Sequence, residues 1–345
     1  MRLHAAIPTA GIRRVLVRAP NWLGDTVMAV PTVRALRRAL PEAELWCVGT
    51  WVASLLEGEP GIERLLEHPR NWPARVRLAR ELRRAGIDLA VLLPNSFEAA
   101  LHAWLGGARL RLGYAGDARS GLLTHPVPPP DARRHQVAAY LDLLRPLGLD
   151  PAVTAPTLHP SPARRAEARD LLARIGIAPR ERPVAIQLGA AFGPSKLWPA
   201  DRLAALADAL EGEGSPAVFL GGPAAAPLLA VVARALARPP RSLVGRDHPA
   251  LLPGLLAEFA AMVAPDSGPA HVAAAVGVPV VTLFGPTDPR LTAPAGAGQA
   301  VLWRKPPCAP CFRPVCPIDH RCLRAITVEE VLAAVRERRG ARAPR

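Results

Sequence analysis

The chain has 345 residues, half of them hydrophobic and 21% charged, with a formal net charge of +14. That length exceeds what one hydrophobic core usually holds, and the composition is that of a globular rather than a disordered chain. No apolar run approaches the roughly 18 residues of a membrane span, and MRLHAAIPTAGIRR carries no apolar leader segment, so the cytosol is the expected compartment.

The basicity is almost wholly arginine, since only Lys196 and Lys305 are lysines. It fits an anionic membrane surface, an anionic substrate or nucleic acid. Aromatics are only 4% and no nucleic-acid module is recognisable, so nucleic acid is not an expected partner.

In chain order, Arg13–Ala19 reads as a strand followed by the loop Pro20-Asn21-Trp22-Leu23-Gly24-Asp25. An amphipathic helix is expected over Thr26–Leu40, with Val27, Val30, Val33, Leu36 and Leu40 at helical spacing and a tight turn or kink at Pro31. The alternation continues through strand Ala43–Val48, a short helix near Val52–Leu56, strand Ile62–Glu67, helix Ala74–Ala85, strand Asp88–Leu93, a helix reaching Leu105, and strand Leu110–Gly113. A Pro-rich loop spans Arg119–Arg134, and a helix over His135–Leu147 closes this half. Four prolines between Asp150 and Pro162 mark a linker. The second half is expected to run through helix Pro162–Ile175, strand Pro183–Leu188, a Gly-rich loop, helix Ala200–Leu210, strand Ala217–Leu220, and helices Ala224–Ala237 and Ala250–Ala257.

The most informative stretch follows. Phe259–Ala264 is a short apolar strand, Asp266-Ser267-Gly268 a tight turn, and after a small-residue helix Val278–Phe284 is a second buried strand. Asp266 or Ser267 can cap that helix, whose free N–H groups suit a phosphate, with His271 one turn in. A last helix over Thr327–Arg338 could return to the first half. Alternating strands and helices call for an α/β architecture of two doubly wound parallel sheets. The expected division is 1–160, 161–326, and a terminal helix and tail over 327–345, with strand ends of both halves facing a cleft.

Neither a G-x-G-x-x-G nor a P-loop pattern occurs. The loop Gly189-Ala190-Ala191-Phe192-Gly193-Pro194-Ser195-Lys196 is a different device: glycines allow close approach, Ser195 offers a hydroxyl, and Lys196 a point charge suited to a diphosphate. A surface lysine before a helix is the alternative. Asp25 is either a helix cap or a general base. Cys308, Cys311, Cys316 and Cys322, with His320 among them, are either reduced thiols bracing a Pro-rich loop or, at compressed spacing, a small zinc site.

NWLGDTVMAVPTVRALRRALP, FGPSKLWP and PDSGPAHVAAAVGVPVVTLFGPTDP, in this order across both halves, resemble the family 9 glycosyltransferases, the lipopolysaccharide heptosyltransferases. The resemblance implies a GT-B fold and an inverting, metal-independent transfer from ADP-L-glycero-β-D-manno-heptose, with no cofactor. The PNWLGD form and the late cysteine segment resemble members whose acceptor is the first heptose of the inner core, carried on Kdo and lipid A at the cytoplasmic face of the inner membrane. It further implies that Asp25 is the base, and that Gly189, Ser195, Lys196, Ser267, Gly268 and His271 hold the diphosphate, with Asp266 positioning the turn or touching the donor sugar. Asn21, Trp22 and Arg18, with Arg111 and Arg119, are candidates to face the acceptor. Two departures stand out: Leu188-Gly189-Ala190 replaces the frequent Pro-Gly-Ala, and Gly221–Ala226 lacks the acidic residue that some members place on the ribose. The competing readings are another family 9 transferase and a non-catalytic anion-binding protein.

Overall fold

Every strand pairing in the computed structural model, which describes residues 7–340, is parallel. The chain divides between Pro156 and Thr157, inside the proline-rich linker. The first six residues of the N-terminal stretch and the last five of the expected tail lie outside the described residues.

The first unit contains β1 (Arg14–Arg18), α1 (Leu23–Met28), α2 (Val30–Ala39), β2 (Glu44–Gly49), α3 (Val52–Leu55), β3 (Arg64–Glu67), α4 (Trp72–Ala85), β4 (Leu89–Leu92), α5 (Phe97–Leu105), β5 (Leu110–Tyr114), β6 (His125–Val127) and α6 (Gln136–Asp142). The second contains α7 (Pro162–Ala173), β7 (Val184–Gln187), α8 (Ala200–Gly212), β8 (Ala217–Leu220), α9 (Ala226–Ala235), β9 (Arg241–Ser242), α10 (Leu252–Ala257), β10 (Ala261–Pro265), α11 (Gly268–Ala275), β11 (Val280–Phe284), α12 (Pro289–Thr292), β12 (Ala300–Trp303), α13 (Arg321–Arg324) and α14 (Val328–Gly340).

The sheet orders are β3-β2-β1-β4-β5-β6 and β12-β11-β10-β7-β8-β9. Counted from its own first strand, each half has the order 3-2-1-4-5-6 of a Rossmann sheet. The order reverses between β1 and β4 in one and between β7 and β10 in the other, and such switch points are where ligands bind in open parallel sheets. The strands there are apolar on both faces because helices cover both sides: β4 and β10 are buried at every position.

The expected Thr26–Leu40 helix differs in two ways. It starts earlier, at Leu23, and it is two helices meeting at Ala29, whose N–H still donates to Asp25 O at 3.0 Å. Pro31 has no N–H to offer the preceding turn, which is the physical reason for the break. At α4, the Asn71 side chain accepts from Ala74 N–H at 2.9 Å and Gly86 ends the helix in the left-handed region. The Pro-rich Arg119–Arg134 stretch holds the unexpected edge strand β6, and β9 and β12 were likewise unforeseen. The terminal helix, expected to return to the first half, is seated instead in the second unit's core, packing on α8 and on β10 to β12 with Val331 and Val335 fully buried. Each such side chain contributes roughly 1.5–3 kcal/mol through removal from water.

Candidate functional site

In the second unit the loops after β7 and β10, the two strands at the switch point, hold the candidate donor-side residues. Lys196 ends a short 3-10 turn, Pro194–Lys196, and is only 8% exposed. Its Nζ donates to Asp266 Oδ2 at 2.5 Å and to Asp266 O at 3.2 Å, and stands 4.7 Å from the Phe192 ring centre. Asp266, itself buried, also accepts the Thr287 hydroxyl at 2.8 Å. A buried lysine is costly unless paired, and this pairing answers that need. An ammonium has three donors, two of which go to Asp266, leaving one for another acceptor. The surface-lysine reading of Lys196 is thereby set aside.

The carboxylate of Asp266 is therefore turned to Lys196 and Thr287 and not to the helix end. Ser267 occupies the N-cap position of α11 in extended backbone, yet its side chain makes no cap hydrogen bond and its buried Oγ has no partner. The expectation that one of these two side chains caps the helix is corrected: among the described residues α11 begins at Gly268 with no cap hydrogen bond from the Ser267 side chain, an arrangement that attracts an anion. His271 is buried one turn in.

Ser195 does something other than expected. It is 1% exposed, its hydroxyl donates to Arg313 O at 2.6 Å, and its N–H donates to Pro314 O at 3.0 Å. It ties the Gly-rich loop to the cysteine-bearing segment. Gly193, at φ +145°, lies so close to Pro314 that any Cβ would strike its carbonyl. Gly189 closes the strand end, where its carbonyl accepts from the Gln187 side chain at 3.3 Å. At the end of β8, where Gly221–Ala226 holds no acidic residue, Asp247 accepts the Gly221 N–H from another loop, and burial raises that carboxyl from 3.8 to about 6.

The four late cysteines are free, and all line one cavity of about 20 Å³ with Ser195 and Pro286. Among the described residues no three His, Cys, Asp or Glu side chains are grouped so as to hold a metal ion.

In the first unit, Asp25 lies half-buried in the first turn of α1, not at its cap, which is Trp22. A carboxylate there is favoured by the helix dipole. It stands close enough to the buried Tyr140 on α6 that, after burial, its charge is the next cause holding that hydroxyl well above its ordinary pKa. Trp22 is 60% exposed and Asn21 is exposed, both on the loop that delivers Asp25. Arg18 does not face outward. It is 2% exposed, donates to Asn21 Oδ1 at 2.8 Å, and burial lowers its pKa to about 10. Arg119 is fully buried on the carbonyls of Tyr114 and Pro94, and Arg111 donates to Leu122 O at 2.6 Å and Ala108 O at 2.5 Å. All three are corrected from acceptor contacts to braces of the strand ends.

Sequence reasoning missed a cluster beside this loop. His68 Nε2 lies 3.0 Å from Glu98 Oε1, with Arg75 at 3.8 Å and Arg18 at 3.9 Å. The hydrogen bond from His68, aided by the charges of His68, Arg18 and Arg75, lowers Glu98 to about 2. Thr287 was missed as well, although it sits inside the Gly285-Pro286-Thr287-Asp288 turn that ends β11.

The family model of glycosyltransferase family 9 (heptosyltransferase) matches residues 75–321. The lipopolysaccharide heptosyltransferase 2 of Salmonella typhimurium strain LT2 is 32% identical over 304 residues, 84% of this chain and 87% of that protein. The lipooligosaccharide heptosyltransferase 2 of Haemophilus influenzae is 30% identical over 304 residues, 84% and 88% of the two chains. The solved structure of the E. coli ADP-heptose LPS heptosyltransferase II matches with a TM-score of 0.81 at 27% identity, covering 94% of this chain and 98% of that one. The expected GT-B class, two Rossmann-like halves, agrees with that likeness.

Proposed function

The chain belongs to glycosyltransferase family 9 and is an enzyme of that class; from this premise we propose that it moves heptose from ADP-heptose onto the lipopolysaccharide inner core, with the first core heptose as acceptor. The Salmonella typhimurium and Haemophilus influenzae relatives, named lipopolysaccharide and lipooligosaccharide heptosyltransferase 2, support heptose transfer to the core. The observation that carries the donor side is the buried Lys196–Asp266 pair beside the N-terminus of α11, which its N-cap Ser267 leaves without a side-chain cap.

In this reading Asp25 removes the acceptor hydroxyl proton as that oxygen attacks the anomeric carbon. The bond from the anomeric carbon to the diphosphate oxygen breaks with inversion, and its electron pair leaves on ADP. A base of this kind contributes roughly 10²–10⁴-fold. The remaining N–H of Lys196 and the backbone N–H groups at Ser267-Gly268, with His271, receive the charge growing on the diphosphate, the part a divalent cation plays in other transferases. Asp266 sets the lysine's position and Thr287 sets Asp266. Asp247, which accepts the Gly221 N–H at the end of β8, is the carboxylate that meets the ribose in this reading. Asn21 and Trp22 meet the acceptor, while Arg18 and Glu98 hold their loop.

The acceptor is carried on Kdo and lipid A, which places the work at the cytoplasmic face of the inner membrane. Among the described residues no helix is long and apolar enough to cross a membrane. The test is incubation with ADP-heptose and lipopolysaccharide cores truncated at known lengths, read by mass spectrometry. Addition of one heptose to cores ending in a single heptose is expected. Addition only to heptose-free cores would contradict the acceptor assignment.

A further inference from the structure

Two helices of the first unit carry a surface that the transfer chemistry does not use. The helices α4 and α5 pack side by side, joined by Leu78 and Leu82 against Ala100 and Ala103 in one core cluster. Their outer faces differ in character. On α5, Phe97 (43% exposed), half-buried Leu101 and Trp104 (49% exposed) follow at i, i+4 and i+7, a single stripe about 10 Å long. On α4, Arg77, Arg80, Arg83 and Arg84 are exposed, and Trp72 at its start is 54% exposed. Among the described residues, Arg77, Arg80 and Arg84 enter no ion pair, whereas many other arginines of the chain do. The half-buried Glu81 pairs with Arg64. Arg83 reaches over Gly107 at the end of α5, so the basic and aromatic faces are contiguous.

A soluble face normally surrounds an exposed tryptophan with mixed charges. Here large aromatics, an aliphatic residue and three arginines outside any ion pair among the described residues occupy neighbouring helices, whose carboxylates Glu81 and Glu98 are paired with Arg64 and His68. Amphipathic rings settle at the headgroup level, long arginine side chains reach phosphates from that depth, and each arginine near an anionic surface adds about 1 kcal/mol. We propose that the α4–α5 face docks this protein on anionic phospholipid, the aromatic stripe entering the headgroup layer and Arg77, Arg80 and Arg84 meeting lipid phosphates. The proposal deepens the reading of a lipid-carried acceptor and rests on it for its purpose, though its test does not involve transfer.

The test is co-sedimentation of the full chain with phosphatidylcholine vesicles, with or without phosphatidylglycerol, at low and high salt. Binding to the anionic vesicles alone, weakened by salt, is expected. Arg77→Gln/Arg80→Gln/Arg84→Gln should weaken it at least about tenfold, and Trp104→Ser should weaken it with little change in salt dependence. Both variants should keep the wild-type melting temperature and ADP affinity, because every substituted side chain is exposed. Unchanged vesicle binding by both variants would overturn the proposal. So would a dimer that the same substitutions dissociate while vesicle binding persists, which would assign the face to a second copy. The assay contains neither donor nor acceptor, so its failure is separable from a failure of the transfer reaction.

Discussion

Replacing Lys196 by methionine separates its pairing with Asp266 from its proposed hold on the diphosphate. Asp266 is 7% exposed and would be left as a buried carboxylate holding only the Thr287 hydroxyl. Breaking a buried pair at one partner costs about 3–5 kcal/mol, most of it the uncompensated charge. Adding Asp266→Asn removes that charge, so Lys196→Met/Asp266→Asn should recover most of the lost stability in chemical denaturation. Phosphate binding should not recover. The lost charge-assisted hydrogen bond is worth about 1.5–3 kcal/mol, which converts to ADP binding weaker by roughly 10- to 150-fold. Calorimetric titration of the double variant with ADP, at a temperature where it is fully folded, reads that number. Affinity within about twofold of wild type would refute the diphosphate role and leave Lys196 as a purely structural counter-ion.

Two further outcomes follow from the geometry. Gly193→Ala places a Cβ against the Pro314 carbonyl at a φ of +145° that alanine avoids, so it should destabilise by about 1–3 kcal/mol and loosen the Lys196 loop, lowering ADP affinity as well; both unchanged would mean the loop yields freely. Glu98→Gln tests the His68 cluster by pH: the folded carboxyl lies at about 2 against 4.5 unfolded, so its stabilisation is present above pH 4.5 and is lost as pH falls towards 2. At about 1.4 kcal/mol per pH unit between the two values the effect is on the order of 3 kcal/mol at neutral pH. Denaturation midpoints of wild type and variant should therefore converge in acid, and a pH-independent gap would contradict the assignment.

Much of this was legible in the chain because buried parallel strands advertise themselves. Val15–Val17 and Ala261–Ala264 are apolar without alternation, and the turns after them are rich in glycine and small polar residues. Lys196 stood out because the chain otherwise uses arginine. Edge strands gave no such signal: β6 contains Pro126, β9 is only Arg-Ser, and β12 is half-exposed. The long-range pairings were beyond reach, since nothing local links Lys196 to Asp266 across 70 residues or Ser195 to Arg313 across 118. Arg18, Arg111 and Arg119 misled for a related reason. In an arginine-rich sequence a brace that satisfies carbonyls reads the same as a surface cation, and only the distances to Asn21, Leu122 and Tyr114 separate them.

The most direct measurement is the rate of heptose transfer by Asp25→Asn under saturating ADP-heptose and a core ending in one heptose, beside its affinity for ADP. Turnover should fall by roughly 10²–10⁴-fold with ADP affinity unchanged, since Asp25 belongs to α1 of the first unit and the loops proposed to hold the diphosphate belong to the second. Transfer at the wild-type rate, or a loss wholly accounted for by weakened ADP binding, would contradict Asp25 as the base.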